Sequence, residues 1–177
     1  MNAPDATAQR PFRILVADDD RGNREAIADL LRARGFETVQ AADGGEAVEI
    51  VRMTMVHLVF FDLHMPRLTG LEALQLVRQM NDLLPAILMT ADATRDVMRQ
   101  ALAEKVHTVL PKPVSPNLVL HAIAQALNKA YGQMAPNIDG TVPAASAKDA
   151  PLMHRLSIEA RFTFSRKPTP PNPETTT

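Results

Sequence analysis

From Phe12 to about Tyr131 short apolar runs alternate with stretches in which apolar residues recur every three or four positions. That alternation predicts βαβ units and a parallel sheet. Strands are predicted over residues 13–17, 38–41, 57–61, 86–89 and 106–110. Four of these are almost wholly apolar, as strands covered on both faces are. The second alternates Thr38 and Gln40 with Val39 and Ala41, which marks it as a sheet edge. Between the strands lie amphipathic helices with readable starts and stops. The first packs Ala26, Ile27, Leu30 and Leu31 on one face and stops at Gly35, a residue suited to the position just past a helix end. Asp43 with Glu46, and Thr69 with Glu72, have capping-box spacing at the starts of the second and third. The fourth covers roughly residues 94–104 and has a narrow stripe of Val97, Met98, Ala101 and Leu102. Ser115-Pro116 opens the fifth as an N-cap followed by the residue best tolerated in the first turn. Strict alternation of five strands with five helices predicts an α/β, doubly wound, three-layer domain over residues 12–131.

Outside that span the pattern changes. Residues 1–11 read as a flexible arm, and residues 132–177 as a Pro- and Ala-rich tail. Within the tail, residues 155–165 alternate Leu156, Ile158, Ala160, Phe162 and Phe164 with polar neighbours, the pattern of an amphipathic strand.

Composition narrows the function classes. Nineteen Lys and Arg against 20 Asp and Glu give a formal net charge of -1, so no general pull toward nucleic acid or membrane is expected. The tail carries five basic and four acidic residues and offers no basic patch. Cysteine is absent, which excludes thiol catalysis, disulfides and thiolate metal sites. With no signal-peptide pattern and no apolar run near the ~20 residues of a membrane span, a cytoplasmic location is expected. Met53 and Met55 read as core filler, and His57, His107 and His121 as surface or packing residues without metal-ligand spacing.

Chemistry enters at the strand ends. Asp18 and Asp19 follow the first strand, Asp62 closes the third, Thr90 the fourth, and Lys112 lies just past the fifth. In an open parallel sheet these loops gather at one edge and form the ligand crevice. A carboxylate cluster, a hydroxyl and an ammonium would meet there, a set able to hold a divalent hard cation and a phosphoryl group together. Crowded carboxylates repel one another unless a cation intervenes. The acidic pair could instead be Asp19-Asp20, and Asp20 could be only a helix cap.

With Asp18-Asp19, Asp62 in Phe61-Asp62-Leu63-His64-Met65-Pro66, Gly70 eight residues on, Thr90-Ala91 and Leu110-Pro111-Lys112-Pro113, the chain resembles the receiver domain of two-component response regulators over about two-thirds of its length. The resemblance implies a flavodoxin-like sheet in the order 2-1-3-4-5. It implies Asp62 as phosphoryl acceptor, assisted by Lys112 and Thr90. It implies Mg²⁺ (or Mn²⁺) held by Asp19 and Asp62 directly, by Asp18 through water and by the backbone carbonyl of His64. A cis Lys112-Pro113 bond is expected with it. The phosphoryl donor would be a sensor histidine kinase or a histidine phosphotransfer protein, and the output a phosphorylation-dependent protein contact. Beyond phosphotransfer to itself and loss of the group to water, such a chain is not an enzyme. A stand-alone receiver is the expected organisation, with self-association through the tail or through the face of the fourth helix, fifth strand and fifth helix as the homodimer arrangements to test.

Two departures bear on switching. Val109 stands three residues before Lys112, where the family usually has an aromatic residue, and Lys105 replaces a glycine typical before the fifth strand, so a different end to the fourth helix is expected. Two other classes compete. A haloacid-dehalogenase-like phosphatase also uses a strand-end Asp, a Thr and a Lys, but it wants a second acid two residues after the nucleophile, where Asp62 has His64. A degenerate receiver acting as a constitutive interaction module would not need the full acidic set.

Overall fold

A computed structural model of the chain describes residues 11–132 and Ala135. The tail strand expected at 155–165 and nearly all of the arm at 1–11 lie outside the described residues. In chain order the elements are β1 (Arg13–Ala17), α1 (Arg21–Arg32), β2 (Glu37–Ala41), α2 (Gly44–Met53), β3 (Leu58–Asp62), α3 (Gly70–Met80), β4 (Ala86–Thr90), α4 (Arg95–Ala103), β5 (Thr108–Pro111) and α5 (Pro116–Tyr131). The five strands form one parallel sheet in the order β2-β1-β3-β4-β5. The predicted α/β architecture is therefore the one observed.

Period-two alternation sends successive strand residues to opposite faces. Leu15, Val59, Phe61, Ala86 and Leu88 point to the side covered by α2, α3 and α4, where Val48, Val51, Leu74, Val77 and Ala101 complete one core. Ile14, Val16, Leu58, Phe60, Ile87 and Met89 point to the other side, against Leu31 of α1 and Val119, Ile123 and Leu127 of α5. The narrow stripe of α4 has a direct counterpart: Ala101 is its only fully buried residue, and Met98 and Leu102 are exposed.

Each helix begins where a short polar side chain accepts a backbone N–H. Asp20, Asp43, Thr69, Thr94 and Ser115 accept from Asn23, Glu46, Glu72, Val97 and Leu118. Around Thr69 the box is reciprocal, with the Glu72 carboxylate accepting from the Thr69 amide at 2.8 Å. The Glu46 carboxylate instead reaches the Ala42 amide at 2.7 Å, one residue before the cap.

Three expectations need correction. β5 is not covered on both faces: it is the second edge of the sheet, with Thr108 and Val109 half-buried and Pro111 exposed, a position where a residue without an N–H is tolerated. Met53 is 81% exposed and Met55 is also exposed, because both lie off the buried stripe of Ala47, Val48 and Val51. Lys105 does not give α4 a different end. It takes the left-handed conformation (φ 53°), as Gly35 does after α1 (φ 82°). At both exits the amides close the same pair of bonds: Lys105 to Leu102 and Val106 to Ala101, Gly35 to Arg32 and Phe36 to Leu31. The Arg78 guanidinium adds bonds to the Glu104 carbonyl at 3.2 Å and the Lys105 carbonyl at 3.4 Å. A cation at a helix C-terminus is favourable there.

Candidate functional site

The carboxyl ends of β1, β3, β4 and β5 converge on one edge of the sheet, as parallel pairing requires. Asp18 follows β1 and is wholly enclosed, whereas its neighbour Asp19 is exposed. Asp62, the last residue of β3, is buried. Carboxylate oxygens of Asp18, Asp19 and Asp62 lie within 4.8 Å of one another. Asp20 turns its side chain to the Asn23 amide at 2.8 Å and serves as the α1 cap. The pair facing Asp62 is therefore Asp18-Asp19 and not Asp19-Asp20.

Lys112 arrives from the end of β5, past a cis Lys112-Pro113 bond. Its Nζ donates to Asp62 Oδ2 at 2.7 Å and to Asp18 Oδ2 at 3.0 Å. One ammonium thus bridges residues 50 and 94 positions earlier in the chain. Burial raises the Asp18 carboxyl above its usual range, against the opposing pull of Lys112 and of the Asp20 amide, which donates to Asp18 Oδ1 at 2.8 Å. For Lys112 burial works to lower the ammonium, but the bonds to Asp62 and Asp18 outweigh it and hold it above its ordinary value. The two directions are compatible. Asp18 has one cation to itself in part and no solvent; Lys112 has two carboxylates and is 22% exposed.

The loop after β3 is held tightly. Gly70 opens α3 with its amide on the Leu63 carbonyl at 3.0 Å. A Cβ at that position would collide with the Asp62 carbonyl, so the close approach requires glycine. On the β1 side Arg24 donates to the Asp18 carbonyl at 2.5 Å. Thr90, at the end of β4, is wholly buried. Its hydroxyl is engaged three ways: the Asp92 amide donates to it at 3.0 Å, the Asp92 carbonyl lies at 3.1 Å, and the His64 ring Nε2 at 3.3 Å. The His64 amide donates to Asp62 Oδ1 at 3.3 Å.

The five side chains singled out from sequence, Asp18, Asp19, Asp62, Thr90 and Lys112, sit at one edge, and His64, singled out for its backbone carbonyl, lies two residues past Asp62 in the loop after β3. The roles of Arg24, Asp92 and the His64 side chain had no sequence signal. Their partners are set by loop geometry and not by spacing. The donor set is all oxygen, acidic and crowded, which fits a hard divalent cation such as Mg²⁺.

A family model described as the response regulator receiver domain matches residues 14–124. The transcriptional regulatory protein PdtaR of Mycobacterium tuberculosis is 34% identical over 126 residues, 71% of this chain and 61% of that protein. The transcriptional regulatory protein GlrR of Escherichia coli is 29% identical over 155 residues, 88% of this chain and 34% of that protein. This chain therefore spans only about a third to three-fifths of the length of these relatives. Among solved structures, a CheY-like receiver domain protein from Methanospirillum hungatei superposes with a TM-score of 0.67 at 26% identity, covering 68% of this chain and 97% of the other.

Proposed function

The chain belongs to the response regulator receiver domain family, and from that premise we propose that it is a phosphorylation-dependent signalling module with Asp62 as acceptor. The observation that carries this reading is the Lys112 ammonium lying across Asp62 and Asp18 beside Asp19. A carboxylate oxygen of Asp62 attacks the phosphorus of a phosphohistidine on a kinase or phosphotransfer protein. A P–O bond forms, the P–N bond breaks, and the imidazole keeps the electron pair. Lys112 then pairs with one phosphoryl oxygen, and Thr90 donates its hydroxyl to another. Water later attacks the phosphorus and returns the Asp62 carboxylate, so the chain turns over only its own phosphate.

Asp19 and Asp62, with the His64 carbonyl and with Asp18 through water, are the residues suited to hold Mg²⁺. When bound, the ion offsets the negative charge that the phosphoryl group brings to three carboxylates. The output is contact with a downstream protein, in a cytoplasmic setting; among the described residues no helix is long and apolar enough to cross a membrane. The family match lends no support to a haloacid-dehalogenase-like phosphatase, and a constitutive module would not need the complete acidic set.

Incubation with acetyl phosphate and Mg²⁺, followed by intact-mass measurement, tests the assignment. Wild type is expected to gain one phosphoryl group and Asp62→Asn none. A normal adduct on the Asn variant would overturn Asp62 as acceptor.

A further inference from the structure

The Thr90 hydroxyl is wholly buried and has a single proton. The Asp92 amide already occupies one of its lone pairs at 3.0 Å. The Asp92 carbonyl at 3.1 Å and the His64 Nε2 at 3.3 Å compete for what remains. If Nε2 carries a proton, the ring donates to Thr90 and the hydroxyl proton goes to the Asp92 carbonyl. If Nε2 does not, the hydroxyl proton goes to the ring or to that carbonyl. In both tautomers the single hydroxyl proton already has an acceptor before any phosphoryl group arrives, and the ring contact is a hydrogen bond when Nε2 donates to the hydroxyl or accepts from it. His64 is also the residue whose backbone amide donates to Asp62 Oδ1, at 3.3 Å. One residue therefore touches the carboxylate with its backbone and the hydroxyl with its ring.

We propose that the His64 imidazole is a positioning residue that retains the Thr90 hydroxyl in the unmodified protein and must release it when Asp62 is phosphorylated, so that His64 sets the threshold of the switch. Moving Thr90 onto a phosphoryl oxygen breaks the His64–Thr90 bond. The bond is worth something only in the unmodified state, and it therefore biases the equilibrium toward that state. This takes Asp62 as acceptor from the preceding reading and adds a residue that opposes the response.

The probe is beryllofluoride with Mg²⁺, titrated into wild type, His64→Ala, Thr90→Val and the double variant, and followed by amide shifts. His64 is exposed and its ring contributes nothing to the buried clusters, so His64→Ala is expected to fold. It should bind beryllofluoride about fivefold more tightly than wild type, the size of one neutral hydrogen bond. In the Thr90→Val background, with no hydroxyl to retain, the same change should have no effect. A general structural disturbance would instead shift both backgrounds equally, and that result overturns the proposal. So does weaker binding by His64→Ala, which would make the ring a direct partner of the phosphoryl group, and so does unchanged binding. If Thr90→Val binds nothing, the ¹⁵N shift of His64 Nε2 in the unmodified protein decides: it must move when Thr90 becomes Val, and an unmoved shift sinks the idea. Failure of the wild type itself to bind the probe would instead overturn the acceptor reading, and the positioning role with it.

Discussion

Asp18 shows how one residue can cost stability and still be worth keeping. Its carboxylate is fully enclosed, and burial raises its pKa despite the Lys112 ammonium and the Asp20 amide. A carboxyl whose folded pKa exceeds its unfolded value contributes stability below the unfolded value of 3.8 and loses it as pH rises through the folded one. The metal-free protein should therefore lose an Asp18-dependent part of its stability on going from acid toward neutral pH. Asp18→Asn should remove that part while weakening Mg²⁺ binding roughly tenfold, as the water-mediated metal role proposed for it requires. Urea unfolding at several pH values, without and with Mg²⁺, checks both effects. A variant that shows the same pH slope as wild type would contradict the assignment of that cost to Asp18. The acidic pair, Asp62, Thr90 and Lys112 were legible in the sequence because each follows directly from where an apolar run ends. The His64–Thr90 contact was not, because it depends on how two loops from different strands approach each other.

At the scale of elements, starts were more legible than ends. Every helix start coincides with a short polar side chain whose capping chemistry is local. The fifth strand departs from its sequence pattern in burial and in its start for one reason: apolar content does not say what an apolar residue is for. Val106 looks like a strand residue, but its amide closes the end of α4 on the Ala101 carbonyl, so β5 begins only at Thr108. The two left-handed exits make a matched experiment. A side chain in that conformation costs ~1–2 kcal/mol, and a glycine returns roughly half of that through the freedom of the unfolded chain. Lys105→Gly should therefore stabilise the protein by about 0.5–1 kcal/mol. Gly35→Ala should destabilise it by about 1 kcal/mol, a backbone cost alone, since a Cβ there would meet nothing within 4 Å. Urea midpoints of the two variants check the signs. If both move the same way, the shared exit geometry is not what governs them.

At the scale of the whole molecule, the edge opposite the acidic pocket is closed by an aromatic group. The Phe12 ring lies 4.8 Å from the His57 ring and 5.2 Å from the Tyr131 ring, centroid to centroid. The Tyr131 hydroxyl donates to the His57 carbonyl at 3.0 Å, fastening the last turn of α5 to the segment entering β3. Tyr131→Phe should cost about 0.5–1.5 kcal/mol. Burial also pushes the Tyr131 phenol up to about 12. A raised folded pKa means stability present below about 10 and lost as pH climbs toward 12. The Phe variant should lack that alkaline loss, and the difference between the two pH–stability curves isolates it from the Lys112 contribution. The Lys112 bridge has a consequence of another kind, in the order of synthesis. During synthesis a domain folds as a unit, once enough of its chain has emerged. β1, which supplies Asp18, lies inside the sheet and is made first, whereas the strand that delivers Lys112 is made last, at the outer edge. A ribosome-bound chain that ends after β4 holds the acidic residues without the ammonium that bridges them. That chain also lacks Val119, Ile123 and Leu127 of α5, so the pocket and its bridge should form together in one step, only when α5 has left the exit tunnel.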